Sequence, residues 1–152
     1  MALPNIFQAE VSESVISRIE KLTPQTPAQW GKMSVAQMLA HCSVTYEMIY
    51  ENKHPKPGAF MRWILKTFIK KSVVNEVPYK HNSSTAPQFV MKEDKNFESE
   101  KTRLIAFLRQ TQQLGQSHFE GKESHSFGVM SGSEWNNLMY KHLDHHLRQF
   151  GV

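Results

Sequence analysis

The chain of 152 residues suits one domain, residues 1–152, that is long enough to bury a continuous hydrophobic core. Its 39% apolar and 21% charged residues are those of an ordinary globular protein. The single cysteine excludes an intramolecular disulfide framework and indicates a reducing compartment, while a net charge of +4 permits binding to nucleic acid or an anionic surface without arguing strongly for it.

Two amphipathic helices are predicted in the first third of the chain. Apolar residues recur at helical spacing over residues 7–22, and the Pro-rich residues 23–27 end this helix. Ser34-Val-Ala-Gln37 has the form of a capping box and begins a second helix that runs to about Glu51. The apolar stripe predicted for the second helix comprises Val35, Met38, Leu39, Cys42, Tyr46 and Ile49. His41 lies at the edge of this stripe.

A third helical pattern covers residues 59–71, with the sequence AFMRWILKTFIKK. We interpret it as a helix of a bundle that buries Phe60, Trp63, Ile64 and Phe68. Its basic residues are then a solvated face, formed by Lys66, Lys70 and Lys71. The alternative is a basic amphipathic helix that lies on an anionic membrane, for which the same residues are suited.

The second half of the chain is predicted to contain a crossover connection and two more helices. Residues 72–93 hold two prolines and a polar run, which indicate a long connection. The fourth helix covers residues 94–114 and ends at Gly115, a residue type favoured just after helices. Residues 116–132 are irregular, and Ser131-Gly-Ser-Glu134 begins the C-terminal helix. Because no segment shows strand alternation, we predict an all-α bundle of four longish helices and one shorter helix.

The C-terminal helix carries three histidines, two of them at a spacing that suits a metal ion. His142 and His146 are four residues apart, which places them on one helical face. At about 100° per residue, the apolar residues of this helix centre at about +50° from His142, and His146 lies at about +40°. His145 lies at about −60°, toward solvent. His142 and His146 should therefore face the interior, where a neutral imidazole needs a hydrogen-bond partner or a metal ion.

Two interpretations of this pair remain open, namely hydrogen-bonded core histidines and metal ligands. A zinc-type site needs at least a third ligand, and only His41 among the other histidines lies on a long predicted helix near its buried face. The remaining candidates are His54, His81, His118 and His125. Three His ligands leave one position open for water or substrate, as in catalytic sites. Cys42 lies about 100° around the helix from His41 and is interpreted as a core residue.

These histidines and their neighbours resemble a known superfamily. The combination of Gln37-Met-Leu-Ala-His41 with His142-Leu-Asp-His-His146-Leu-Arg-Gln149 resembles the DinB-like (YfiT-like) superfamily of bacterial metal-dependent proteins. The stretch from His125-Ser-Phe-Gly128 through Trp135 to Gly151 is similar to one uncharacterised subgroup of that superfamily. The C-terminal His-x-x-x-His-x-x-Gln motif carries most of the resemblance.

The resemblance implies a four-helix bundle with a long crossover and a divalent nickel or zinc ion bound by His41, His142 and His146. Relatives include transferases and isomerases that use a low-molecular-weight thiol. It therefore implies a thiol-dependent S-transferase, with activation of a water for hydrolysis as the other enzymatic expectation. Gln149 or Tyr46 would orient the imidazoles.

Two classes of function compete at this point. The first is a metal-dependent enzyme with a small-molecule substrate, in which His125 is a candidate acid or base, although a surface-loop role suits that residue equally. The second is a non-enzymatic helical bundle with a structural metal or a buried His cluster.

We expect neither nucleic acid nor a membrane as a partner. A homodimer could form through an exposed apolar face, but the sequence does not identify such a face. The N-terminal residues lack the pattern of a secretion signal, and no window approaches the roughly 18 apolar residues of a membrane span. Together with the single cysteine, these features lead us to expect a cytoplasmic protein.

Overall fold

The computed structural model describes residues 2–152 and shows a mostly helical protein. Its helices and strands are α1 (Ala9–Glu20), α2 (Val35–Tyr50), α3 (Ala59–Ile64), α4 (Lys70–Val74), α5 (Phe97–Phe119), β1 (Lys122–Ser124), β2 (Gly128–Met130) and α6 (Gly132–Gln149). A π-helical turn, Leu65–Ile69, joins α3 to α4, and a 3₁₀ turn, Pro87–Phe89, interrupts the long connection before α5. The predicted all-α class is confirmed.

The predicted capping box of α2 is present, and the start signal predicted for the C-terminal helix is a second one. At the start of α2, Ser34 Oγ accepts from the Gln37 backbone N–H at 3.2 Å, and Gln37 Oε1 accepts from the Ser34 N–H at 3.0 Å. Ser131 and Glu134 make the same reciprocal pair at the start of α6. Each box satisfies two backbone donors that a helix terminus leaves free, which explains why both helices begin where the sequence predicts.

The four long helices α1, α2, α5 and α6 pack around one core. Helix α2 is its centre, because it packs against both α5 and α6, and every residue from 38 to 47 is buried. The single apolar stripe predicted for α2 was therefore too narrow. A helix covered on all sides must also bury polar side chains, and α2 buries His41, Thr45 and Glu47. These side chains need partners inside the protein.

The third helical pattern forms, but it is not buried. Helix α3, the π turn and α4 follow one another without interruption over residues 59–74. None of these residues, all of which the structure describes, is buried. Phe60, Trp63 and Phe68, which we expected in the core, lie mostly in solvent. The periodicity was correctly assigned to a helix, but the prediction of a buried bundle helix was wrong.

Two further differences lie between α4 and α6. The predicted helix end at Gly115 is a break, since Gly115 has φ +72° and the chain returns to helix until Phe119. A positive φ costs glycine little, so the break falls there. In residues 116–132, expected to be irregular, β1 and β2 form an antiparallel hairpin in which Glu123 pairs with Val129. Strands of three residues are too short for alternation to reveal.

The connection between α4 and α5 places its 3₁₀ turn against α2. This contact brings Phe89 over the buried polar face of α2. In the part of the chain that the structure describes, no helix is long and apolar enough to cross a membrane.

Candidate metal centre

The three histidines proposed as metal ligands meet in the interior, between α2 and α6. His41 comes from α2, and His142 and His146 come from successive turns of α6. One candidate ligand atom from each residue lies within 4.8 Å of the other two. The ring centroid of His41 lies 5.0 Å from that of His142 and 4.4 Å from that of His146. We call these three residues the His trio.

A backbone carbonyl orients the ring of His41. Its Nδ1 lies 2.8 Å from the carbonyl oxygen of Phe89. A carbonyl oxygen can only accept, so Nδ1 carries the proton and donates, and Nε2 keeps its lone pair. Sequence reasoning missed this partner, because nothing in the spacing links residues 41 and 89.

A side-chain amide orients the ring of His146. Its Nδ1 donates to Gln149 Oε1 at 2.8 Å, and Gln149 Nε2 donates to the carbonyl oxygen of Trp30 at 2.7 Å. The second bond fixes which end of the amide faces the histidine. Gly31 leaves room for this arrangement, since its φ is +81° and a Cβ there would lie 2.5 Å from Gln149 Nε2. The orienting contact predicted for Gln149 is thus present.

His142 has a partner that can either donate or accept. Its Nδ1 lies 3.3 Å from Thr45 Oγ1, and its Nε2 lies 3.0 Å from His41 Nε2. Because His41 Nε2 holds a lone pair, His142 donates from Nε2 here and accepts from the Thr45 hydroxyl at Nδ1. Thr45 is one turn beyond His41 on α2, so its position could be inferred from the sequence.

The His trio is neutral at neutral pH. Burial is the main cause, and it lowers the pKa of His146 to about 3. Burial and the neighbouring rings of His146 and His41 hold the pKa of His142 well below its ordinary value. Burial also lowers the pKa of His41, against a smaller opposing effect of the Phe89 carbonyl. Neutral imidazoles are the form that binds metals.

The His trio is largely enclosed. His41 and His146 are only 4% and 8% exposed, and His142 keeps a small exposed fraction although its imidazole is buried. The Phe89 ring packs edge-on against the rings of His41 and His142, with centroids 5.3 and 5.8 Å away. One aromatic side chain from the long connection therefore covers part of the site.

Comparison with known proteins gives a family but no activity. Residues 5–151 match the family model described as "Protein of unknown function (DUF1569)". The chain belongs to this family. No curated protein and no solved structure matches the chain. The chemistry of this DUF1569 protein must therefore be argued from its own residues.

His145 does not point into solvent as predicted. Its ring is half-buried beside Trp30, His81 and Tyr79, with centroids at 5.8, 6.1 and 5.6 Å. Trp30 and His81 stack on each other at 3.8 Å. The connection after α4 folds over this side of α6, and helical periodicity cannot reveal that cover. His145 still lies outside the His trio, as its angle predicted.

The other histidines considered as ligands have partners elsewhere in this DUF1569 protein. His125, near the hairpin turn, has Nδ1 2.9 Å from Ser126 Oγ and Nε2 3.2 Å from the His54 carbonyl oxygen. His54 itself contacts Glu47 Oε2 at 2.5 Å. The structure thus joins His125 to a different cluster, and its role as acid or base stays a prediction.

Two neighbours of His41 on α2 belong to the hydrophobic core. Burial raises the pKa of the Cys42 thiol, and its Sγ lies 3.8 Å from Met38 Sδ, so the core assignment of Cys42 is confirmed. Tyr46 stacks on Phe107 with centroids 5.6 Å apart. That packing differs from the orienting contact expected for Tyr46.

Proposed function

We propose that His41, His142 and His146 bind one divalent ion, zinc or nickel, and that the protein is a metal-dependent enzyme acting on a small molecule. The orientation of the three rings is the main support. Each Nδ1 contacts a separate oxygen, of Phe89, Thr45 or Gln149, so Nε2 is the nitrogen that each ring can offer to an ion. Metal-binding histidines in proteins characteristically have such a partner on the other ring nitrogen.

The distances suit an ion after small side-chain movements. Nitrogen ligands on a tetrahedral zinc ion lie about 3.4 Å from one another. The Nε2 atoms of His41 and His142 are 3.0 Å apart, and no pair of ligand atoms in the trio is more than 4.8 Å apart. The ligands lie on two long helices, so the site is largely formed in advance.

Thr45 supplies the adjustment that binding requires. In the structure His142 donates from Nε2, whereas a ligand nitrogen must present a lone pair. If its proton moves to Nδ1, the ring can donate to Thr45 Oγ1, which accepts as readily as it donates. Thr45 therefore supports both tautomers without leaving a buried donor unpaired.

The number of protein ligands favours a catalytic site over a structural one. Three protein ligands leave a fourth position free for water or substrate. An ion bound there would act as a Lewis acid and lower the pKa of a thiol or water that reaches it. The chain's own part is to hold the three rings and to exclude bulk water with Phe89.

We favour transfer of a low-molecular-weight thiol as the reaction. In such a transfer the thiol loses its proton to a base, for which His125 is the candidate. The sulfur then bonds to an electrophilic carbon, whose leaving group departs with its electron pair. The support is the resemblance to the DinB-like superfamily. The four long helices and the long connection before α5 agree with the crossover bundle expected of it.

A non-enzymatic His cluster is the second candidate. The 3.0 Å contact between His41 and His142 pairs these two rings with each other, and Gln149 satisfies His146. The buried imidazoles therefore have partners even with no ion. On this hypothesis the trio only stabilises the contact between α2 and α6.

Elemental analysis tests the proposal directly. Protein purified without a histidine tag should contain about one equivalent of zinc or nickel, and His142→Ala and His146→Ala should contain little. His145→Ala is the matched control, because it removes an imidazole from the same helix outside the trio, and it should retain the metal. Equal loss in all three variants, or no metal after incubation with zinc and nickel salts, would refute the site.

Chelation then separates a catalytic from a structural ion. If the site is open, a chelator should strip the metal while the helical circular dichroism signal persists, and added zinc should restore it. Unfolding on stripping would indicate a structural ion. Thiols should be screened with electrophiles only after the first result.

A further inference from the structure

The outer surface of residues 59–69 is an exposed apolar patch. Its members are Phe60, Met61, Trp63, Phe68 and Ile69, which are 74%, 49%, 56%, 66% and 42% exposed. We call these five residues the aromatic face. Phe60 and Trp63 have ring centroids 6.1 Å apart, and Trp63 and Phe68 have centroids 6.0 Å apart, so the rings form one continuous group.

Polar contacts on the opposite side fix this orientation. Arg62 pairs with Glu123 of β1, and Lys70 Nζ lies 2.8 Å from Glu134 Oε1 of α6. Lys141 Nζ of α6 donates to the carbonyl oxygen of Ser72, which lies in α4, at 2.8 Å. The segment thus contacts the protein through these polar groups and through half-buried apolar residues such as Val74, while its large aromatic residues face solvent.

Such a face needs a partner. Isolated exposed apolar residues are common on proteins, but a contiguous patch of large aromatic residues marks a surface that binds something. The bundle interpretation favoured from the sequence supposed that these residues were buried. Their exposure removes that premise.

The charges around the aromatic face indicate the chemistry of the partner. Between Glu51 and Glu76 the sequence has no acidic residue. It has six basic ones there, namely Lys53, Lys56, Arg62, Lys66, Lys70 and Lys71. Within residues 2–152, the exposed side chains of Lys66 and Lys71 have no ion-pair partner. The partner surface should therefore carry negative charge.

A second copy of this chain does not meet that requirement. In a two-fold dimer the same patch lies on both sides, so Lys66 and Lys71 of one copy would approach the basic segment of the other. An anionic lipid surface does meet it. Phenylalanine and tryptophan partition into the boundary between headgroups and acyl chains, and lysines bind the anionic headgroups. A helix of this kind lies along the surface and does not cross it.

We propose that residues 59–71 dock the protein on an anionic lipid surface, with the aromatic face inserted at the level of the headgroups and Lys66 and Lys71 on their phosphates. This interaction needs neither the His trio nor a bound metal. It replaces the expectation from sequence that the protein has no membrane partner.

Co-sedimentation with lipid vesicles tests this docking. The full chain should pellet with vesicles that mix phosphatidylglycerol and phosphatidylcholine at low salt, about 50 mM. It should stay largely in solution at about 500 mM salt or with phosphatidylcholine alone, because ions screen the lysines. If the protein stays in solution with anionic vesicles at low salt, the proposal is overturned. Equal binding to both vesicle types would overturn the role of the charge.

Paired variants separate the two parts of the surface. Lys66→Glu with Lys71→Glu should lower binding about 25-fold or more, since each lysine near an anionic surface contributes about fivefold. Lys21→Glu with Lys32→Glu makes the same change in net charge at exposed lysines elsewhere and should retain most binding.

The aromatic residues are tested in the same way. Phe60→Ser with Trp63→Ser should abolish vesicle binding, whereas Leu114→Ser should not. Loss in the controls to the same extent would show a nonspecific charge effect and refute the site.

The solution mass distinguishes the competing partner. A monomer by light scattering is expected in the parent and in Phe60→Ser with Trp63→Ser. A dimer in the parent that becomes a monomer in this variant, without vesicle binding, would assign the aromatic face to a second copy and overturn the proposal. Metal content should be unchanged in these variants, which keeps this test independent of the His trio.

Discussion

The His trio places polar groups in the interior, and the aromatic face places large apolar groups in solvent. Only the trio finds its partners within the chain. At the trio, imidazoles lie in the interior, and each ring nitrogen that points away from the centre has a partner from the protein. At the aromatic face, large rings lie mostly in solvent and pack on one another. Departures from the rules of folding tend to fall at functional sites. The trio therefore has its polar partners within the chain, whereas we propose that the aromatic face finds its partner outside it.

The two regions also differ in how they are supported. The histidines of the trio project from long helices that share the core, so their geometry follows from the fold. Residues 59–74 have no buried member, and their contacts with the rest of the protein include those of Arg62, Lys70 and Lys141 and the packing of Val74 on the core. Removing one such contact should disturb the segment without rearranging the core.

A large effect on stability is expected at Lys141, which connects α6 with the C-terminal end of the segment that carries the aromatic face. It is a buried residue of α6, and its Nζ donates to the carbonyl oxygens of Ser72 and Asn75 at 2.8 Å each and to Asn75 Oδ1 at 2.9 Å. Lys141→Met removes the donor of these three bonds, leaving Asn75 Oδ1 only the Val77 N–H, and should lower the free energy of unfolding by about 3 kcal/mol, measured by urea denaturation.

An exposed basic residue on the same helix is the control for this prediction. Arg148 pairs with Asp144 at the surface, and its side chain is 70% exposed. Arg148→Met should therefore cost less than about 1 kcal/mol. Similar losses in the two variants would show that the contacts of Lys141 do not secure the segment.

Gln149 allows the preorganisation of the trio to be tested without removing a ligand. Gln149→Leu removes the acceptor of His146 Nδ1 and should weaken zinc binding by about 10- to 100-fold, measured by competition with a chelator. Gln149→Glu keeps an acceptor for His146 but cannot donate to the Trp30 carbonyl oxygen, so it should retain most of the affinity. Unchanged affinity in Gln149→Leu would mean that packing alone orients the ring.

The features predicted correctly from sequence depend on local spacing. Capping boxes span four residues, and the shared face of His142 and His146 follows from the helical repeat, so neither needs knowledge of the fold. The choice of His41 as the third residue needed only that it lie on a long helix near a buried face. These local signals recovered most of the helices and all three members of the trio.

The features that the sequence did not reveal depend on what covers each helix. The apolar pattern of residues 59–71 identifies a helix but not the surroundings of its apolar side, which here is solvent. His145 was assigned to solvent by its angle, yet the connection after α4 covers it. Phe89 reaches His41 across 48 positions of sequence, and no periodicity extends through an irregular connection. Which segments pack over a helix face depends on the tertiary structure of the whole chain.

Acid should destabilise the metal-free protein through the trio. An unfolded histidine has a pKa near 6.5, whereas burial lowers that of His146 to about 3, so the unfolded chain binds more protons between these values. The free energy of unfolding should thus decrease as the pH is lowered through this window, by about 2 kcal/mol from about pH 7 to pH 5 for His146 alone. Urea denaturation of chelator-treated protein measures this loss. His146→Gln cannot titrate there and should show a correspondingly smaller slope; an equal slope would show that other groups cause the acid sensitivity.

The smallest effect on stability is expected at the aromatic face, and it separates that face most clearly from the core. Trp63→Ala should change the free energy of unfolding by no more than about 0.5 kcal/mol, because the ring is mostly in solvent in the free protein. Trp135→Ala, at a tryptophan that is 3% exposed, should cost about 3–5 kcal/mol. A loss at Trp63 close to that at Trp135 would mean that the segment is packed in the free protein and needs no partner. A negligible loss combined with lost vesicle binding would mean that Trp63 serves an interaction and contributes little to the fold.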